Sequence, residues 1–147
     1  MIQVSLLTPE MVDAVVELEQ ICFPDDPWSK GMFESELTNP LAIFLVAVDE
    51  TKHRLIGYGG VWLMYDVGNI TNIAIHPDYR REKIGSQLLS VLESICTEKG
   101  MVSITLEVRE SNLPAQKLYE KSGFSYCGRR KKYYQGIEDA MIMTKEL

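Results

Sequence analysis

Cysteine is scarce and scattered in this chain: Cys22, Cys96 and Cys127 are odd in number and far apart, with no C-x-x-C pair among them. Only two histidines, His53 and His76, could complete a metal site. A zinc site needs closely spaced ligand pairs, so the sequence predicts no metal and reduced, mostly structural thiols. That thiol state suits a cytoplasmic location. Positive charge is also in deficit. The formal net charge is −6, and the one basic cluster, Arg129–Lys132, is short and reads as a solvated or groove-rim stretch. Nucleic-acid binding therefore has no general electrostatic support. No apolar run approaches the roughly 20 residues needed to span a bilayer. Acids interrupt the first twenty residues early, so no secretory leader is expected there. Low-complexity tracts, long linkers and internal repeats are missing as well.

What is present is ordinary globular material. Apolar residues make up 46% of 147 and charged residues 24%, enough for one domain, residues 1–147, with a real hydrophobic core. Residues 2–7 read as a strand. Thr8 is placed to cap a helix that starts at Pro9, with Met11, Val15, Leu18 and Cys22 at helical spacing. The break FPDDPW (23–28) ends it, and Ser29 is placed to cap a short helix to about Leu37. Extended runs at 42–48, 55–66 and 69–75 form a meander. Ile84, Leu88, Val91, Leu92 and Ile95 then mark one face of a helix closed by Lys99 and Gly100. A strand at 103–108, a helix at 114–123 and two final strands complete a β-α-α-β-β-β-α-β-α-β-β order. This is a mixed α/β pattern whose strand–helix–strand unit implies one parallel pair.

Two segments concentrate the chemistry. In NIAIHPDYRREKIGSQLL (72–89) a strand runs through a basic, polar loop into a helix near Ile84 or Gly85. Free N–H groups at a helix start bind anions, and Arg80 and Arg81 add positive charge, which suits a pyrophosphate. An ordinary strand-to-helix connection with a solvated basic turn reads the same way. In LEVRESNLPAQKLYEKSGF (106–124), alternation sets Thr105 and Glu107 on one face of a strand and Leu106 and Val108 on the other. Such a carboxylate is either solvated or held in a cleft, where desolvation would make it a better general base. Tyr119 reads as an amphipathic core residue with its hydroxyl satisfied, and Asn112 as a helix cap.

Together these two segments resemble the central motifs of the GNAT acetyltransferases. LEVRESN, LYEKSGF, YYQGIEDAMIM and FPDDPWSKGMF resemble, more narrowly, the RimI group, which acetylates the N-terminal alanine of a small-subunit ribosomal protein. The similarity spans nearly the whole chain. It implies a GNAT fold: a mixed, mostly antiparallel sheet with a central parallel strand pair splayed around acyl-CoA, flanked by about four helices. It implies acetyl-CoA as cosubstrate and a protein or peptide N-terminus as acceptor, with a basic ribosomal protein as one candidate. It implies neither nucleic acid nor membrane as partner and fixes no oligomeric state. By the same resemblance Ile73, Ala74 and Ile75 belong to the splayed strand, and Arg81, Glu82, Lys83, Ile84, Gly85 and Ser86 to the pyrophosphate loop. Asn112 would contact the cofactor arm, Glu107 would be the general base and Tyr119 the general acid. Phe23, Trp28, Tyr133, Tyr134 and Glu138 would shape the acceptor groove.

One position departs from the family pattern. Lys83 stands where the loop's first glycine belongs. A β-carbon there predicts weakened or rearranged cofactor binding. No serine or cysteine has a plausible histidine partner, so direct attack by the amine is expected rather than a covalent acyl-enzyme. Two alternatives share these residues: an enzyme acting on a small amine or lysine side chain, and a degenerate acyl-CoA-binding or interaction domain without turnover.

Overall fold

The computed structural model describes residues 1–147. Seven strands form one sheet: β1 (Ile2–Leu6), β2 (Ala42–Asp49), β3 (Arg54–Met64), β4 (Val67–Ile75), β5 (Ser103–Arg109), β6 (Ser125–Tyr134) and β7 (Glu138–Glu146). Their order across the sheet is β1-β2-β3-β4-β5-β7-β6, antiparallel everywhere except between β4 and β5. Four α-helices flank it: α1 (Val12–Cys22), α2 (Lys30–Leu37), α3 (Ile84–Glu98) and α4 (Leu113–Lys121). This is the mixed α/β architecture expected from the element order. None of the helices is long and apolar enough to cross a membrane.

The helices divide the core. Leu88, Leu89 and Leu92 of α3 pack with Ile104, Leu106 and Val108 of β5 on one side. Val15 and Leu18 of α1 pack with Phe33, Phe44 and Tyr58 on the other. A sheet covered on both faces explains why β2 and β3 read as continuous apolar runs rather than alternating ones.

The start of α1 differs from expectation. Pro9–Met11 is a single 3-10 turn and the α-helix begins only at Val12. The Thr8 side chain makes no capping bond; its backbone carbonyl accepts the Met11 amide at 3.0 Å instead. The caps at Ser29, accepting from the Met32 amide at 3.3 Å, and at Asn112, accepting from the Ala115 amide at 3.2 Å, form as their residue types dictate.

The parallel pair holds the functional opening. It runs only from Val67 opposite Ser103 to Ile70 opposite Leu106, after which the strands part. The cause lies on the far side of β4, where the β3–β4 register shifts between Gly60 and Val61 and leaves Thr71 as the extra residue of a bulge. Gly60 is required there. A β-carbon would sit 2.4 Å from Phe44 Cε1 and 2.7 Å from Thr71 Oγ1.

Candidate active site

The gap between β4 and β5 opens a cavity of about 1050 Å3, lined by the parting segments of both strands, by the 22–28 segment after α1, by the start of α4 and by the end of β6. The ladder period decides which backbone groups face it. The His76 amide donates to the Ile56 carbonyl, and the two-residue repeat gives Ala74 and Asn72 the same direction. Ile73 therefore turns its N–H and C=O toward β5.

Of the residues singled out by sequence, Phe23, Trp28, Ile73, Glu107, Asn112, Tyr119, Tyr133 and Tyr134 line this cavity. Glu107 extends from the face of β5 opposite buried Leu106 and Val108, as the alternation requires. Its Oε1 lies 3.1 Å from Arg130 Nε on β6, while Oε2 is buried and has no hydrogen-bond partner. Thr71 Oγ1 at the bulge is orphaned in the same way. The two parted strands thus each present an unpaired oxygen to the cavity, where water or a ligand can complete the bonding. Tyr119 is 8% exposed, packs edge-on to Phe124 at 5.8 Å and reaches the cavity from α4. Burial, helped by the neighbouring Tyr134, pushes its phenol up, so the proton stays on. Gln116 donates to the carbonyls of Arg109 at 3.0 Å and Glu110 at 2.9 Å, fixing α4 and hence Tyr119 against the end of β5.

The aromatic wall is tied to the same charges. Burial and the Glu107 carboxylate raise the Tyr134 phenol to about 12. Arg109 lies 4.3 Å over the Tyr134 ring and Arg130 5.6 Å over that of Tyr133. The basic cluster is exposed and none of it lines the cavity; Arg130 reaches it through Glu107, while Arg129 pairs with Glu110 and Asp139.

Glu138 is not among the lining residues. Its carboxylate accepts the Ser111 amide at 2.8 Å and Arg109 at 3.1 Å, which braces the 110–112 turn from behind. Ala74 also stays out of the cavity, buried in the α1-side core. Ile75 packs against the α3 side, and its carbonyl accepts from Arg80 Nε at 3.3 Å.

The loop Arg81–Ser86 lies beyond the lining residues, at the start of α3. The first backbone bond of that helix is Gln87 N–H to the Lys83 carbonyl at 3.1 Å. The six amides from Arg81 to Ser86 find no protein acceptor. Such a run of free donors at a helix start is an anion cradle and fits a pyrophosphate. Lys83 has φ 64°, the left-handed conformation that a glycine adopts freely. Gly85 serves packing: a β-carbon would meet Leu118 Cδ2 of α4 at 3.0 Å.

Sequence reasoning missed Glu19. It is 1% exposed, lines the cavity and accepts the Trp28 amide at 2.9 Å, the Tyr58 hydroxyl and the Asn72 amide at 3.4 Å. Desolvation raises its carboxyl above the ordinary range. The signal was available. Glu19 follows Val15 by four residues and so shares the apolar stripe of α1.

Comparison with known proteins agrees with this geometry. The sequence profile of the Acetyltransferase (GNAT) family matches residues 12–124. A Bacillus subtilis (strain 168) protein, provisionally named ribosomal protein bS18-alanine N-acetyltransferase, is 45% identical over 136 residues, covering 91% of this chain and 88% of its own length. The ribosomal protein bS18-alanine N-acetyltransferase of Salmonella typhimurium (strain LT2) is 35% identical over 145 residues, covering 96% and 95%. The crystal structure of the ribosomal-protein-S18-alanine N-acetyltransferase from Escherichia coli superposes with a TM-score of 0.89 at 30% identity, covering 99% of this chain and 94% of that one. A strand pair parted by a bulge, a cradle of free amides and a profile match over most of the chain lead to one conclusion: the chain belongs to the GNAT family of acetyltransferases.

Proposed function

We propose that this chain acetylates the N-terminal α-amine of a protein, with the N-terminal alanine of ribosomal protein bS18 as the favoured acceptor. The chain is an acetyl-CoA-dependent N-acetyltransferase. The finer reading rests on the names of its relatives and on one observation: a cavity at the β4–β5 gap lined by Glu107, Tyr119 and an aromatic wall of Trp28, Tyr133 and Tyr134. A ribosomal-protein acceptor puts the reaction in the cytoplasm.

Acetyl-CoA supplies the thioester carbonyl that the amine attacks. The loop amides of Arg81–Ser86 would bind its pyrophosphate, with Asn112 and the Ile73 backbone along its arm. An α-ammonium has a pKa of about 8 and is largely protonated at neutral pH, so it must lose a proton before attack. Glu107, directly or through a water, takes that proton. The Ile73 amide stabilises the negative charge that develops on the carbonyl oxygen, a contribution of roughly 3 kcal/mol for one such donor. Tyr119, whose phenol keeps its proton, hands it to the departing sulfur.

Peptides that differ only at the first residue, each carrying an internal lysine, test this when incubated with acetyl-CoA and read by mass spectrometry. Acetyl groups are expected on the α-amine alone, with alanine leading. Modification of the lysines at comparable rates would sink the proposal in favour of a side-chain or small-amine enzyme.

A further inference from the structure

Of the charged side chains that line the cavity, Glu107 and Arg109 are paired, the exposed Asp25 and Asp26 make no ion pair, and neither does the buried Glu19. Glu107 is matched by Arg130 and Arg109 by Glu138, each at 3.1 Å. Glu19 has no lysine, arginine or histidine nitrogen within ion-pair distance. Its oxygens meet donors only: the Trp28 amide on Oε2, and the Tyr58 hydroxyl and Asn72 amide on Oε1. Donors on both oxygens favour the ionised carboxylate, against the burial that pushes its proton affinity up. Leaving such a charge without a counter-ion away from water is costly. The carboxylate of Asp26 adds repulsion rather than relief.

We propose that Glu19 recognises the positive charge of the acceptor's α-ammonium, acting through the cavity wall by its field and not as a proton acceptor. This rests on the α-amine reading above and divides the work of that site. Glu19 Oε2 accepts the Trp28 amide and Oε1 the Tyr58 hydroxyl, whereas Glu107 Oε2 has no partner, so Glu107 is the better placed of the two to take the proton. Glu107 is neutralised by Arg130 and still carries a bare Oε2, which suits it to proton transfer and makes it a weak attractor of cations. Across a low-dielectric wall an unscreened carboxylate acts on a cation much more strongly than through water. The same residue joins the 23–28 segment, through Trp28, to the parting strand, through Asn72, so the charge is held where acceptor and thioester meet.

The test is calorimetric binding, with CoA present, of a short peptide beginning with alanine and of its propionyl counterpart, identical except for the missing amine. Wild type is expected to favour the amine by about tenfold or more. Glu19→Gln should reduce that preference to within about twofold, while Tyr58→Phe, which removes a hydrogen bond but no charge, and Glu107→Gln should keep it. Glu19→Met serves the same purpose as the glutamine variant if the latter does not fold, and thermal melts establish folding for each. A preference that survives Glu19→Gln or Glu19→Met overturns the assignment. So does its loss in Tyr58→Phe, which would assign the effect to the geometry of the network. Its loss in Glu107→Gln alone would move recognition to β5. Wild type that binds neither peptide breaks the α-amine reading and this proposal with it.

Discussion

The loop Arg81–Ser86 and the wall made by β5 and β6 handle charge in different ways. The loop uses backbone: six amides without acceptors, arranged by a turn in which Arg81 and Lys83 both have positive φ. The wall uses side chains: Glu107 on Arg130, Arg109 on Glu138 and stacked on Tyr134, Tyr119 reaching in from α4. A backbone cradle tolerates a change of side chain so long as the dihedral angles hold, and Lys83 holds a left-handed φ of 64°. A side-chain wall does not, because each group is specified by its own functional atoms. Substitutions should therefore act on turnover at the wall and on stability at the loop.

The largest effect is expected at Glu107. Glu107→Gln should lower kcat by about a hundredfold or more, most severely below about pH 8 where the amine must be deprotonated, and a pH series of steady-state rates reads it. Activity equal to wild type across that range would remove the base. Next comes the bulge that serves both regions: Gly60→Ala drives a methyl into Phe44 and Thr71 and should cost about 2–3 kcal/mol in denaturant melts. Tyr119→Phe should slow turnover on the order of tenfold with the KM for both substrates within about twofold, since only the transferred proton is lost.

At the loop the expected change is in stability. Lys83→Gly relieves a left-handed lysine and should stabilise the fold by about 1 kcal/mol, seen as a melting temperature raised by a few degrees. The acetyl-CoA KM should move less than about threefold, and a larger shift would show that the lysine side chain, not the backbone, carries cofactor binding. The smallest effect concerns pH. Glu138 is held below the ordinary carboxylate range by Ser111 first and then Arg109, and Asp139 by the Lys132 amide first and then Arg129. A folded-state value below the unfolded one contributes stability that is present above about pH 4 and fades as pH falls through the folded values. Melting temperature should therefore drop on acidification through that window, and the pair Glu138→Gln with Asp139→Asn should flatten the slope.

Much of this molecule was legible from residue order. Period and punctuation set the strands and helices, because an apolar residue every second or every third-to-fourth position leaves few ways to bury a face. Alternation along SITLEV put Glu107 opposite the core, and the free donors at the start of α3 follow from any helix beginning after a polar loop. Local chemistry does not reach further than its own turn, and that is where expectation failed. Thr8 has the residue type of a cap but meets a proline turn that satisfies the amides by backbone. Glu138 has the sign of a groove acid, yet Arg109 and Ser111 claim it across the sheet. The parting of β4 from β5 depends on a bulge opposite Gly60, and the state of Glu19 depends on Trp28, Tyr58 and Asn72, each distant in sequence or on another element. Pairing register and the company of a buried charge are set by contacts between segments, so only the folded chain could decide them.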